Sequence, residues 1–457
     1  MTDVSQRAVL SRQGIRDSLA PVSDRMPRIV TVTLVSLLIP VYFAPGGLLL
    51  SPARIVLLVL VPMLMTRLLR GVYGPITAID WLVFVNLALS VLSIFVNNPE
   101  QAVTFAGSNA MMILGGYLVG RTMIRSPAQF QGLSRLLAVL VLCSLPFAIY
   151  ETITGHMIIG EMIDRIPGVY SNKYVNYTRR LGLARVQFVF AHPIHYGLFC
   201  STALSLCYIG LASTLSTVTR ILFTALILLA VFLSVSSGPF LSAMTQISLI
   251  LWMIVMARIK QKWKLLGGIL LVLYVIAEVF SNRPAIYVLV SMLAFDPFTA
   301  NARRILLDYG LAQIGRAPLL GIGYHSFPMP AFMTGSVDNQ WLLIAIAFGV
   351  PALAALWGSI LLIFYRMTRN TKGGALYDMQ RLAWCITMIS LILTMATVAI
   401  WGEMLTIFYF FVGCGAWMAN PVQPWITAPD TAYADPAAAS GLSGTRYSRF
   451  AVQQRRQ

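Results

Sequence analysis

The chain has 457 residues, of which 58% are hydrophobic and only 11% are charged, and its formal net charge at pH 7 is +17. Soluble domains carry about 25% charged residues, so this composition excludes an ordinary soluble protein. It predicts an all-α polytopic integral membrane protein, because helices satisfy their own backbone groups in lipid. The positive charge needs no nucleic acid partner, since basic residues flank membrane spans on the cytoplasmic side.

Residues 1–28 are polar and rich in arginine, which predicts a cytoplasmic N-terminal segment and no cleaved signal peptide. Residues 29–421 form the predicted transmembrane domain, and 422–457 form a predicted disordered basic cytoplasmic tail. Apolar runs of about 17 to 25 residues predict about twelve transmembrane helices. These runs lie near 30–49, 53–69, 77–96, 102–120, 134–152, 187–211, 220–236, 239–257, 264–281, 341–365, 382–401 and 403–420.

The loops between these runs differ in charge. Most of the 33 Lys and Arg residues fall on the side of both termini, and the positive-inside rule makes that side cytoplasmic. The basic residues of the opposite side lie chiefly in two sizeable loops, 153–186 and 282–340. These two outer loops are therefore predicted to meet an anionic partner.

The second outer loop holds the arginine pair Arg303 and Arg304. The pair lies near the start of a predicted helix, for which Thr299 or Asn301 is a suitable cap. Free N–H groups at a helix start, together with guanidinium groups, favour a bound phosphate. The alternative is a surface ion pair between Arg304 and Asp308, one helical turn away.

The first outer loop ends at Arg185, and two histidines, His192 and His195, follow inside the next apolar run. Polar groups at membrane depth are costly and tend to mark a cavity. Two structural alternatives stay open. Arg185 can be an anchor whose charged end reaches water, and the histidines can be hydrogen-bonding groups between packed helices.

Acidic residues in or beside the apolar runs suggest a second class of function. They are Asp80, Glu278 and Glu403, and only Glu278 is placed to lie deep in the membrane. A proton-coupled transporter uses such groups. A transporter of a polysaccharide intermediate or of an anionic solute is therefore an alternative to an enzyme.

A series of short motifs carries a family resemblance over about residues 180 to 355. The series is Arg185, then Phe190-Ala191-His192-Pro193-Ile194, then Arg303, then Pro-Leu-Leu-Gly-Ile-Gly at 318–323, then Asp338-Asn339 and Gly349. In this order and on the predicted outer side, it resembles the bacterial O-antigen ligase and Wzy-type polysaccharide polymerase superfamily.

The resemblance implies a membrane glycosyltransferase of the GT-C class in the bacterial inner membrane. Such an enzyme takes a glycan from undecaprenyl pyrophosphate at the periplasmic face and passes it, without metal or other cofactor, to an acceptor hydroxyl. Polymerisation of a surface or secreted polysaccharide is preferred over ligation to lipid A-core. The implied partners are the lipid-linked glycan, a glycan or lipid A-core acceptor, membrane lipids, and export or chain-length proteins.

The resemblance also implies roles for single residues. By position, Arg185 and Arg303 match arginines thought to hold the pyrophosphate, with Arg304 beside them. Asp338 stands where the ligase branch has a histidine as its proposed base, which favours the polymerase branch. The implied supporting residues are His192, His325 and Asn339.

Asp338 also has a structural interpretation. Asp338 or Ser336 is suited to cap the helix that begins near Trp341. For Asp338 the capping role and the catalytic role can coexist.

Overall fold

The computed structural model describes residues 24–43, 50–172, 175, 177–280, 297–330, 336–369 and 373–419. The predicted N-terminal segment up to residue 23 and the predicted tail lie outside the described residues. Within these ranges the chain is helical and contains no β-strand. The helices are α1 (Arg28–Leu37), α2 (Pro52–Leu69), α3 (Ala78–Asn97), α4 (Pro99–Met123, with a π-helical stretch at Phe105–Ala110), α5 (Pro127–Thr154), α6 (Ile158–Ile163), α7 (Pro193–Ser205, continued by the π-helical Leu206–Gly210), α8 (Thr217–Leu233), α9 (Ser237–Val255), α10 (Lys262–Phe280), α11 (Pro297–Arg316), α12 (Gln340–Phe348), α13 (Val350–Arg369), α14 (Gly374–Met395) and α15 (Gly402–Met418).

Eight of these helices are long and apolar enough to cross a membrane, namely α2, α3, α4, α5, α9, α10, α13 and α14. Three others, α1, α8 and α15, are apolar but shorter. The prediction of an all-α polytopic membrane protein is confirmed. The number of twelve crossings stays a prediction.

Several predicted helix boundaries differ from the structure. The run 30–49 is helical only over α1 in its described part. The run 187–211 becomes helical only at Pro193, because proline favours the first position of a helix. The run 341–365 is broken at Gly349, whose φ of 87° is not helical. The second of these differences leaves non-helical backbone between Arg185 and His192, two of the predicted site residues.

Helices α4 and α15 pack closely against each other. A Cβ atom at Gly120 would overlap the backbone oxygen of Phe410, and one at Gly413 would overlap that of Tyr117. Glycine at these positions therefore lets two backbones touch, as small residues do between membrane helices. This contact fixes the start of α15, and with it the segment 396–401 that precedes α15.

A buried ion pair fixes the end of the bundle opposite to the outer loops. Arg121 Nε lies 3.0 Å from Asp80 Oδ1, and the Tyr117 hydroxyl donates to the same oxygen at 2.7 Å. Asp80 also forms a capping box with Thr77 at the start of α3, so its role is structural. Glu278 lies on α10, a helix of which no residue is buried, so no neighbouring helix encloses its side chain among the described residues. The transporter alternative therefore gains no support from either acid.

Candidate active site

The chain between α6 and α7 carries two predicted site residues, Arg185 and His192. Just before Arg185, the backbone is attached to α5, since Ala184 N donates to Thr152 O at 3.1 Å. His192 caps α7, and its Nδ1 accepts a hydrogen bond from Ile194 N at 3.1 Å. The cap and the α5 attachment thus fix the two ends of the stretch that carries both side chains.

Arg185 is buried, with 9% of its surface exposed. Its guanidinium carbon lies 5.2 Å from the centre of the Tyr177 ring, and its Nε has no hydrogen-bond partner among the described residues. Burial, and then the charge of Arg180, lowers the pKa of Arg185 to about 10. An anchor would keep its guanidinium group in water, so this burial does not match the anchor alternative.

Arg303, on α11, is 8% exposed, and its Nη2 donates to Thr397 O at 3.3 Å. Burial lowers its pKa, and the carboxylate of Asp338 opposes that effect. Arg304 is exposed on the same helix, and its part in phosphate binding stays a prediction. Because α11 begins at Pro297, earlier than either predicted cap, Arg303 lies beyond the first turn and away from the free N–H groups.

Asn339, and neither Asp338 nor Ser336, caps α12. Asn339 Oδ1 accepts hydrogen bonds from Trp341 N at 3.0 Å and from Leu342 N at 3.1 Å. Asp338 is exposed, and its Oδ1 accepts a hydrogen bond from Ser336 Oγ at 2.9 Å. The predicted capping role of Asp338 or Ser336 is therefore wrong, and the Asp338 carboxylate is not used by the helix.

Electrostatic effects connect these groups. Burial, and then the charge of Arg185, lowers the pKa of His192 to about 4, while Asp338 opposes the shift. The Asp338 carboxylate likewise opposes the lowering of the pKa of Arg303. Such effects require charges that lie near one another. Arg185, His192, Arg303 and Asp338 therefore form one group, here called the outer cluster, in which His192 is neutral near pH 7.

Residues 396–401, between α14 and α15, lie against the outer cluster and were not predicted as part of a site. The Trp401 ring lies 4.1 Å from the His195 ring and 5.8 Å from the His192 ring, measured between centres. Gln340 Oε1 accepts a backbone N–H of this segment at 2.8 Å. The segment therefore links α7, α11 and α12 behind the cluster. Apart from Thr397 the segment is apolar, so its composition carries no signal of a site.

The turn at 318–323 attaches the second outer loop to the helical bundle. Ile322 N donates to Ile346 O, and Gly323 N donates to Ala347 O, both at 2.9 Å. Both glycines of the turn have a φ of 62°, a left-handed conformation that glycine adopts without strain. The turn thus holds α11, which carries Arg303, against the end of α12.

A cavity of about 970 Å³ lies beside the outer cluster. Its wall includes neighbours of the cluster, namely Ala191, Val337 and Trp401. Tyr42 and Glu403 also line it, and the Tyr42 hydroxyl donates to Glu403 Oε1 at 2.8 Å. His325 lies in this wall, with its Nε2 2.8 Å from the backbone oxygen of Asn97. Much of the remaining wall is apolar, so the cavity suits a ligand with both polar and apolar parts.

The fold and the site define a multi-pass membrane protein with buried basic groups gathered beside a large cavity. Residues 222–357 match the family model Wzy_C, described as O-antigen ligase. The match supports the predicted resemblance to the O-antigen ligase and Wzy-type superfamily and, at a coarse level, a membrane glycan ligase or polymerase. The matched range includes Arg303 and Asp338 but not Arg185 or His192. No curated protein matches the chain.

Proposed function

We propose that this protein is a bacterial inner-membrane glycosyltransferase that uses undecaprenyl-pyrophosphate-linked glycan at the periplasmic face and polymerises a surface or secreted polysaccharide. The observation that carries the proposal is the outer cluster, in which Asp338 interacts with the buried Arg303 and with His192, and His192 interacts with the buried Arg185. Two buried guanidinium groups in one cluster suit an anionic ligand such as a diphosphate. The O-antigen ligase match supports the same class of reaction.

In the proposed reaction, the acceptor hydroxyl oxygen attacks C1 of the donor sugar while the bond from C1 to the diphosphate oxygen breaks. Arg185 and Arg303 stabilise the charge that develops on the departing diphosphate. Their planar guanidinium groups match phosphate oxygens, and the proposal includes no metal ion. Asp338 accepts the proton of the acceptor hydroxyl. A direct displacement of this kind inverts the configuration at C1.

The cavity beside the cluster is proposed to receive the sugars. Trp401 offers an aromatic surface, and Tyr42 and Glu403 offer hydrogen-bonding groups in the same wall. The Glu403 carboxylate repels a diphosphate, whereas the two arginines attract it. The diphosphate is therefore assigned to the outer cluster and the neutral part of the substrate to the cavity.

Ligation of the glycan to lipid A-core is the second candidate, and the description of the matching family favours it. Asp338 favours polymerisation, because the ligase branch is expected to have a histidine at that place. Both candidates share the lipid-linked donor, membrane lipids and the outer cluster, and differ in the acceptor. Export or chain-length proteins are proposed as further partners of a polymerase.

Deletion of the gene is expected to abolish high-mass polysaccharide and to leave single repeat units on the acceptor, because a polymerase adds repeats to one another. Gels of cell lipopolysaccharide beside secreted polymer measure this result, and a plasmid copy of the wild-type gene is the control. A ligase would instead leave full-length polymer on the undecaprenyl carrier and bare lipid A-core. That second pattern would overturn the polymerase assignment but would still agree with a glycosyltransferase.

A further inference from the structure

Glu151, in the last turn of α5, binds the chain segment that follows Arg185. Its side chain is 2% exposed. Its Oε1 accepts a hydrogen bond from Gln187 N at 2.7 Å, and its Oε2 accepts one from Phe188 N at 2.9 Å. A buried carboxylate is costly unless hydrogen bonds satisfy it. Here two backbone N–H groups of the segment do so, and each carboxylate oxygen is used.

The segment 184–190 is neither helix nor strand, so it depends on other elements for its shape. Thr152 holds its beginning, because Thr152 Oγ1 donates to Ala184 O at 2.8 Å and Ala184 N donates to Thr152 O at 3.1 Å. Phe188 has a φ of 56°, a conformation that is unusual for a residue with a side chain. Such backbone persists only where its surroundings hold it. Glu151 bonds directly to the N–H of this strained residue.

Arg185 lies between these two attachments, one at Ala184 and the other at Gln187 and Phe188. We propose that Glu151 is a positioning residue, which holds the segment so that the Arg185 guanidinium group faces the diphosphate of the lipid-linked donor. This inference rests on the function proposed for the outer cluster. It assigns to Glu151 no contact with the substrate.

A substitution at Glu151 weakens the attachment at Gln187 and Phe188. Glu151→Gln keeps the size of the side chain but leaves one acceptor oxygen, and its NH2 group faces a backbone N–H donor. The segment is therefore expected to loosen at Gln187 and Phe188. Since displacing a catalytic group by about 1 Å can cost roughly 10²-fold in rate, we expect a loss of that order in product formed per folded protein.

Hydrogen–deuterium exchange and polymer synthesis, measured on the full-length protein, test the inference. Glu151→Gln is expected to raise deuterium uptake in peptides that span 184–190, with other peptides unchanged, and to lower product formation. Glu161→Gln is the matched control, because Glu161 is an exposed carboxylate on α6 that pairs with His156. The control is expected to change neither measurement. A merely structural role would instead reduce the folded amount without lowering product per folded molecule.

Product formation at the wild-type level in Glu151→Gln would overturn the inference, whether or not exchange rises. Arg185→Lys, measured in parallel, separates two kinds of failure. If that variant is inactive while Glu151→Gln is active, only the positioning role fails, and if both are active, the proposed function of the cluster fails as well. If Glu151→Gln does not fold, Glu151→Asp is the second variant, because it keeps the carboxylate but shortens its reach to Gln187 N and Phe188 N. Wild-type exchange and activity in Glu151→Asp would then count against the inference.

Discussion

Lysine in place of Arg185 or of Arg303 is expected to lower product formation by about 10²–10³-fold, the usual effect of losing one group that stabilises developing charge. Lysine keeps the positive charge but loses the planar pair of donors that matches two phosphate oxygens. Both arginines are buried, so water does not replace the lost hydrogen bonds. Gels of the polymer, normalised to the amount of protein in the membrane, measure the effect.

Arg316→Lys is the matched control, because Arg316 is an exposed arginine in the last turn of α11, the helix that carries Arg303. It is expected to leave product formation near the wild-type level. Near-normal product from both Arg185→Lys and Arg303→Lys would show that the two arginines have a structural role only. If product formation falls in only one of the two lysine variants, a single arginine binds the diphosphate.

Asparagine in place of Asp338 is expected to lower product formation by about 10²–10⁴-fold, as when a positioned base is removed. The amide cannot accept the proton of the acceptor hydroxyl near neutral pH. The folded amount is expected to stay the same, because α12 is capped by Asn339. Product per folded molecule, measured as for the arginine variants, gives the result, and wild-type product in Asp338→Asn would rule out the base.

Alanine substitutions at Asp338 and Asn339 separate catalysis from capping. Asn339→Ala removes both hydrogen bonds of the cap and is expected to destabilise the protein by about 1 kcal/mol. Asp338→Ala is expected to leave the melting temperature unchanged, since Asp338 does not bond to the helix. Equal destabilisation by the two substitutions would contradict this assignment of the cap.

The fold class could be predicted from sequence because an apolar run long enough to cross a bilayer is a strong local signal. The helix starts were less predictable. Asp338 and Asn339 are both good capping residues, and the extended backbone at Asn339, with a φ of −155°, decides between them. Backbone conformation at a single position depends on tertiary contacts, which a periodic pattern of apolar residues does not show.

For the candidate site, too, the sequence indicates some residues and not others. The order of motifs predicts Arg185, Arg303 and Asp338 as site residues, and Arg304 is grouped with Arg303 because local sequence does not show which of two adjacent side chains a helix buries. Glu151 was not found, because it binds backbone groups of residues distant in the chain. Nearly every residue has a backbone N–H group, so a carboxylate that binds such groups has no partner of a recognisable residue type.

The most direct test of the central claim uses the purified protein in proteoliposomes that contain an undecaprenyl-diphosphate-linked repeat unit. The undecaprenyl diphosphate released and the glycan formed are measured together, for the wild type and for Arg185→Lys, Arg303→Lys and Asp338→Asn. We predict that the wild type releases undecaprenyl diphosphate in proportion to new glycosidic bonds, and that each variant releases far less. Wild-type protein that forms no glycan and releases no undecaprenyl diphosphate, or variants that match the wild type, would contradict the account.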